Sequence, residues 1–521
     1  MSTDSQTADL HWTGHALVDV GLAGLCALRG RELPEDLTLG DLDQASDFIA
    51  EHYFSGALDP YLTVVFTNNS GYCGPNKVDD PEEYAEVFRA HRVSPQKHLD
   101  PRKHLLPATG ERCVFSGLPA SAWVHRQHLP LFSGAQVMNF RPAGQTAVPI
   151  SGPYLVALQF LPMAARRAEG KLLAIYTDEP QLTIAFARRY VERNKVLLNL
   201  ALPTTRATVH PGYDREIPMW DAKKKRYKMA DVKGPRSLVL ADLTEVAMQA
   251  APTDTRPHPV AITVYLLSNS GQEPSLEIFN IPSGVVSFVR KAVEAPTAIG
   301  WKAITERFYP VQEAKDDTAR PRKRKTASGA SVIPGRPGWS RNPAFEDLCR
   351  VFEAGFVDRN TANRWLRQYV LGRIENRTGE VRYENTRARL WALAELFVQE
   401  VLGMRKGRIE AIKQFGDKLA SWISEKRDRN LYRALAYDSP WELRQRLLRA
   451  QRDGMPLGLD EYAAVWLHEE DSRADESLVR DLVCIRVVEQ LYELKYFDSH
   501  PEDRLEPTDG SDLTPTNKEE A

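Results

Sequence analysis

The spacing of apolar residues divides this chain into two regimes. Near the start, the Ala-, Leu- and Gly-rich run from His15 to Leu28 predicts a helix, and Gly21–Gly24 give it a small-residue face. A second helix is predicted over Asp41–Tyr53, where Ala45, Phe48, Ile49 and Tyr53 recur at helical intervals. Leu62–Thr67 reads as a short strand running into the turn-rich stretch Asn68–Lys77. In the middle of the chain, Tyr154–Leu161, Leu172–Tyr176, Val196–Leu200, Ser237–Leu240 and Val260–Leu267 are strand-like, whereas Thr183–Glu192 and Val285–Val293 look helical. After residue 343 the period is helical throughout. Leu390, Leu393, Ala394, Phe397 and Val401 mark one face. Similar patterns at Phe345–Phe356, Asn363–Ile374, Ile409–Ile423, Trp441–Gln451, Leu459–Trp466 and Ser477–Leu494 predict a bundle of about five to seven helices. The fold expected is therefore α+β, a mixed N-terminal body followed by a C-terminal all-α bundle.

Composition sets the boundaries. Residues 313–343 combine the basic run Arg320–Lys325 with Gly, Pro and Ser, which disfavours packing. We therefore expect a body over 1–312, a basic flexible linker over 313–343, a bundle over 344–498 and an acidic disordered tail over 499–521. A net charge of −2 argues against a uniformly cationic nucleic-acid binder, but it conceals an asymmetry. Residues 341–460 hold 23 Lys and Arg against 17 Asp and Glu, whereas 461–521 hold 6 against 17. The basic part is dominated by arginine, whose planar fork suits phosphate; the other reading is a solvated surface laced with ion pairs. Five scattered cysteines fit a reducing cytoplasm better than a disulfide framework. The N-terminus lacks the pattern of a signal peptide. No stretch of about 18 apolar residues suggests a membrane span.

Candidate chemistry is sparse. No phosphate-binding Gly-rich loop, HExxH helix, GxSxG elbow or His-Asp nuclease dipeptide occurs, and no enzyme activity or cofactor is expected. The histidines between His91 and His128 form a loose cluster. They are either scattered surface residues or the site of a nucleic-acid-dependent metal hydrolase. Lys223, Lys224, Lys225, Arg226 and Lys228, beside Trp220 and Tyr227, interleave charge with aromatics as a nucleic-acid backbone would require; an exposed turn is the alternative. Asn68, Asn69 and Asn76, with Lys77, either read base edges with their amides or make turns. Cys73–Asn76 and Cys113–Ser116 look like two knuckles, each with its second sulfur replaced. Two thiolates are too few for structural zinc, so no bound metal is expected.

The opening Trp12–Leu28 (WTGHALVDVGLAGLCAL), the acidic text EDLTLGDLDQA after it and the two half-knuckles resemble the large subunits of type I CRISPR effector (Cascade) complexes, in the I-A/I-B group. That family carries a paired CxxC zinc knuckle, which here is degenerate. The resemblance implies a non-catalytic, cytoplasmic subunit for antiviral defence, with a bundle similar to the Cascade small subunit. Its partners would be the guide RNA, target double-stranded DNA, the backbone, handle-binding and small subunits, and a recruited helicase–nuclease. The body would recognise the protospacer-adjacent motif, and the chain would stabilise the opened target (R-loop). Asn68, Asn69, Asn76 and Lys77 would then face the flanking duplex, Lys223–Arg226 and Lys228 a DNA or RNA backbone, and Arg382, Arg387, Arg389, Arg427, Arg429 and Arg433 an opened strand.

Overall fold

The computed structural model describes residues 6–53, 58–66, 106–107, 110–124, 147–168, 170–201, 217–221, 226–230, 234–249, 259–269, 274–305, 309–310, 339–340, 343–371, 390–437, 440–466 and 473–503. By internal contacts the chain forms two compact units. One comprises Met1–Val246 and Val260–Pro282, and the other Ala247–Pro259 and Ser283–Ala521. The fold is α+β with a helical C-terminal region, as the spacing predicts.

The first unit is built on α1 (Ala16–Arg29), buried on every side from Ala16 to Cys26. Around it lie α2 (Leu39–Tyr53), α3 (Asp59–Val65), a small antiparallel sheet of β1 (Leu106–Pro107), β2 (Ala122–Val124) and β3 (Val148–Ile150), and then α4 (Gly152–Phe160). Next come β4 (Arg166–Ala168), β5 (Lys171–Thr177), α5 (Pro180–Ala201), the hairpin β6 (Ile217–Asp221) and β7 (Arg226–Ala230), α6 (Pro235–Gln249), β8 (Ile262–Ser268) and β9 (Ser275–Ile281). Strands β4, β5, β8 and β9 pair in that order, all antiparallel, with Ala174 opposite Tyr265 and Tyr265 opposite Ile278.

Gly21 and Gly24 explain how closely α1 is packed. A Cβ on Gly21 would lie 2.1 Å from the carbonyl oxygen of Ala157 in α4, and one on Gly24 would lie 2.6 Å from the Ala164 Cβ. The loop entering α1 is held by Asp19, which accepts hydrogen bonds from the Thr13 amide and hydroxyl, both at 2.8 Å, and from the Gly14 amide at 2.9 Å. Its exit is held by buried Asp41, which takes Arg29 Nε at 2.9 Å and Arg31 Nη2 at 2.9 Å. Between sheet and helices sits Asp242 of α6. It accepts from Arg166 Nη1 at 2.9 Å, Arg189 Nε at 3.2 Å and Tyr190 Oη at 2.9 Å, joining β4, α5 and α6.

Four strand predictions are corrected. Leu62–Val65 belongs to α3, where Pro60 near the start presets helical φ. Tyr154–Phe160 is α4, again opened by a proline, Pro153. Val196–Leu200 continues α5, and Ser237–Leu240 lies within α6. Helices α4 and α6 are buried on every face over Tyr154–Phe160 and Ser237–Thr244, so no polar side is left to reveal the helical period. Strand β9 is hidden in the sequence for the opposite reason. Leu276 and Ile278 are exposed while Phe279 and Ile281 are buried, which blurs the alternation.

In the second unit, α7 (Ser283–Ala292) and α8 (Ala298–Thr305) precede β10 (Tyr309–Pro310), which pairs with β11 (Trp339–Ser340). Then follow α9 (Pro343–Arg350), α10 (Arg359–Trp365) with a π turn over Leu366–Leu371, α11 (Leu390–Glu400), α12 (Lys406–Lys426), α13 (Arg429–Tyr437), α14 (Pro440–Arg452), α15 (Leu459–Trp466), α16 (Arg473–Glu493) and the short α17 (Tyr496–Ser499). The periodic segments found in the sequence fall on these helices, except that Phe345–Phe356 is helical only to Arg350 and turns over 351–356, and that 372–374 of Asn363–Ile374 lie outside the described residues. Helices α7 and α8 also belong to this unit, although composition places the boundary at 312. The reason is an aromatic cluster. Phe288 of α7 packs edge-on against Trp301, Trp365 and Phe397, and Trp365 stacks on Phe397 at 4.7 Å. The linker core, 313–338, lies outside the described residues.

Two outcomes test these packing arguments. Gly21→Ala forces a methyl into a backbone carbonyl and should cost at least the roughly 1–3 kcal/mol of an overpacked core. Gly30→Ala, at an open left-handed C-cap with φ 67°, should cost only about 1–2 kcal/mol; denaturant melts of the two variants check the order. Asp242→Asn leaves buried guanidinium groups without their anion, at a cost of roughly 3–5 kcal/mol. Burial alone would raise the Asp242 carboxyl pKa, but Arg166, Arg189 and the Tyr190 hydroxyl more than offset it and hold it below the usual value. The stabilisation is therefore complete above the unfolded carboxylate value of about 3.9 and lost as pH falls through the lower folded value. An acid titration of stability should show that loss in the parent and not in D242N.

Candidate nucleic-acid interface

The basic hairpin is the first of the sequence candidates that the structure places. Strands β6 and β7 pair Trp220 with Tyr227, Asp221 with Arg226 and Met219 with Lys228. Arg226 and Lys228 thus sit on a strand rather than in an irregular turn. Lys223, Lys224 and Lys225 fall between the strands, outside the described residues. Beyond β7, Arg236 at the start of α6 lays its guanidinium over the Phe279 ring at 5.0 Å.

Three of the six bundle arginines are described. Arg427 ends α12 in a left-handed conformation with φ 54°, Arg429 opens α13, and Arg433 lies one turn further along; all three are exposed. They are not equivalent. Arg429 Nε pairs at 2.5 Å with Asp503, a buried carboxylate that also accepts the Tyr496 hydroxyl at 2.8 Å. Its charge closes the C-terminal end of the unit and is half spent there. Residues 501–503 are accordingly ordered as a short 3-10 turn, within the span expected to be an acidic tail. Arg427 and Arg433 have no carboxylate within 4 Å among the described residues. Arg382, Arg387 and Arg389 lie outside the described residues, as do Asn68, Asn69, Asn76, Lys77, Cys73 and the histidines from His91 to His128.

Of the two Cys-x-x stretches, the one at Cys113 is described, and it forms a hydrogen-bonded turn. The Cys113 amide donates to the Leu118 carbonyl at 2.7 Å, the Gly117 amide donates to the Cys113 carbonyl at 2.9 Å, and Gly117 adopts φ 71°, a conformation natural to glycine. The sulfur is buried. Burial would raise the thiol pKa, but hydrogen bonds from the Ser116 hydroxyl and from the Ser151, Phe115 and Ser116 amides hold it below its ordinary value. Ser116, at the second-cysteine position, accepts a hydrogen bond from the Leu118 amide at 3.3 Å. Among the described residues, no group of three or more His, Cys, Asp or Glu is placed to hold a metal ion, and no helix is long and apolar enough to cross a membrane.

What sequence reasoning missed is the division of the arginines by pairing. Arg367 belongs to the basic stretch 341–460, yet it meets Asp481; in the acidic stretch that follows, Arg480 also meets Asp481, and Arg486 meets Asp417 and Glu489. Among the described residues, the cations with no carboxylate within 4 Å include Arg427 at the end of α12, Arg433 on α13 and Arg444, Arg449 and Arg452 on α14. For Arg367 no local signal shows its pairing, because Asp481 is 114 positions away in the chain; Arg480 and Arg486 also have acidic neighbours close in sequence, Asp481 and Glu489.

No family model matches the chain, and no curated protein or solved structure matches it either.

Replacing the buried Cys113 by Ala removes packed sulfur from the turn, at an expected cost of roughly 0.5–3 kcal/mol, which thermal denaturation of the variant beside the parent checks.

Proposed function

We propose that this chain is the non-catalytic large subunit of a type I CRISPR RNA-guided surveillance complex, in the I-B-like branch. The observation that carries the reading is the coincidence of the family-like opening with the knuckle turn in one unit. Trp12–Leu28 leads into the central helix α1, and Cys113–Gly117 keeps a knuckle's turn while Ser116 stands at its second-cysteine position. An α+β unit followed by a helical one also suits that role.

In this reading the first unit senses the protospacer-adjacent motif, with Asn68, Asn69, Asn76 and Lys77 at the flanking duplex and the β6–β7 hairpin, with Lys223–Arg226 and Lys228, on a DNA or guide-RNA backbone. Base pairing with the guide reads the target itself, so the protein needs only a short flank and backbone contacts. The helical unit, similar in role to a small subunit, holds an opened strand through exposed arginines such as Arg427 and Arg433. Arg429, tied to Asp503, contributes less. Cleavage falls to a helicase–nuclease recruited to the complex, and the assembly works in the cytoplasm.

Co-expression with a guide RNA and candidate backbone and handle-binding subunits tests the proposal. The complete complex should select a flank motif from duplexes with a randomised flank, and selection should vanish when this chain is omitted. Replacing Lys223, Lys224, Lys225 and Arg226 with Gln should flatten the dependence of log affinity on log salt by about 0.9 for each phosphate that is no longer neutralised. Flank selection that persists without the chain refutes the reading.

A further inference from the structure

The exposed surface of α14 has a composition that its fold does not require. Its inner side is conventional, with Leu443, Leu447 and Ala450 buried against the bundle. On the opposite side, Trp441 is 67% exposed and Leu448 43%. At 3.6 residues per turn, Trp441, Leu448 and Arg452 fall on one stripe, with Arg444 and Arg449 on either flank. Leaving a tryptophan in water forgoes the burial it could gain in the core. A large apolar side chain set among cations is the composition of a binding surface.

The charges around it are available. Whereas Arg367, Arg429, Arg480 and Arg486 are each ion-paired, Arg444, Arg449 and Arg452 have no carboxylate within 4 Å among the described residues. Arg444 is held in place by a neutral group, its Nε donating to the Tyr462 hydroxyl at 2.8 Å with the guanidinium 5.8 Å from that ring. Tyr462 is in turn stacked on Trp466. Along the chain the acidic residues are Glu442 near the start of the helix and Asp453 just past its end, and Glu461, next to Tyr462, is paired with Lys418. Arg444 and Arg452 are about 12 Å apart along the axis, so the three guanidiniums form a short cationic track beside an open aromatic face.

We propose that this face of α14 binds single-stranded nucleic acid, with Trp441 stacking on a base and Arg444, Arg449 and Arg452 holding the neighbouring phosphates. An acidic peptide would satisfy the arginines but leave the indole face idle, and a duplex keeps its base faces stacked away from Trp441. An unpaired strand uses both. The inference stands on α14 alone and does not need the large-subunit reading.

The test uses the full chain without guide or partners. Fluorescence anisotropy follows a labelled oligothymidylate, and a duplex of equal length, across a salt series. Trp441→Ala should weaken single-strand binding roughly 5- to 100-fold with little change in salt slope, and Trp441→Phe should recover most of it. R444Q/R449Q/R452Q should lower the slope by about 2. Single-strand affinity unchanged in W441A, displacement of the oligonucleotide by polyglutamate at equal charge concentration, or no binding by the parent chain would each overturn the proposal. Flank selection by the assembled complex is a separate readout, so either idea can fail while the other stands.

Discussion

The carbonyl oxygen of Ala157 occupies the space that a side chain on Gly21 would fill, and the first unit is arranged around that contact. Because α1 has no polar face, it must be enclosed on all sides, and enclosure at this distance is possible only where Gly21 and Gly24 let α4 and the segment after it approach. The helices and sheet then follow as the layers needed to cover an apolar rod. Tyr53 of α2 donates its hydroxyl to the Gln159 carbonyl at 2.6 Å, so even the polar tip of a fully buried tyrosine is satisfied by α4. The helical unit repeats the device. Gly284 in α7 meets the Glu400 carbonyl at the end of α11, and Gly416 in α12 accepts the stem of Arg486.

Buried charge does a different job. Asp242 sits where β4, α5 and α6 meet, and three donors specify their mutual placement more narrowly than apolar contact could. Asp41 plays the same part for Arg29 and Arg31 after α1. Such groups are poor sources of net stability but strong constraints on which packing is chosen, since any other arrangement leaves an ion without its partner.

Much of the helical unit was legible because its helices have a wet side. In α12, Ile409, Ile412, Phe415 and Leu419 alternate with charged residues, and the period is plain. In α4 and α6 it was not, since burial on every face erases the polar half of the pattern, and their β-branched and aromatic content then mimics a strand. The candidate interface divides in the same way. Basic residues near Trp220 and Tyr227 were visible as text, but their pairing across a hairpin was not. The turn was visible as Cys-x-x-Ser-Gly, yet the bonds from the Cys113 amide to the Leu118 carbonyl and from the Val114 amide to the Pro149 carbonyl were not. Arg429 resembles a free cation in the sequence because Asp503 is remote in the chain, and Trp441 resembles one more apolar position in a helix.

The central position of α1 also sets an order of events during synthesis. Its residues are made before those of α4, which follows some 140 residues later, as the separation between the hydrogen-bonded His11 and Tyr154 shows. At about 5–20 residues per second, roughly 7 to 28 seconds pass before that partner exists. Throughout that interval a helix that is buried from Ala16 to Cys26 in the finished unit has no α4 to lie against. A nascent-chain binding factor that shields Leu17–Cys26 would act at the point where the native enclosure has not yet been made.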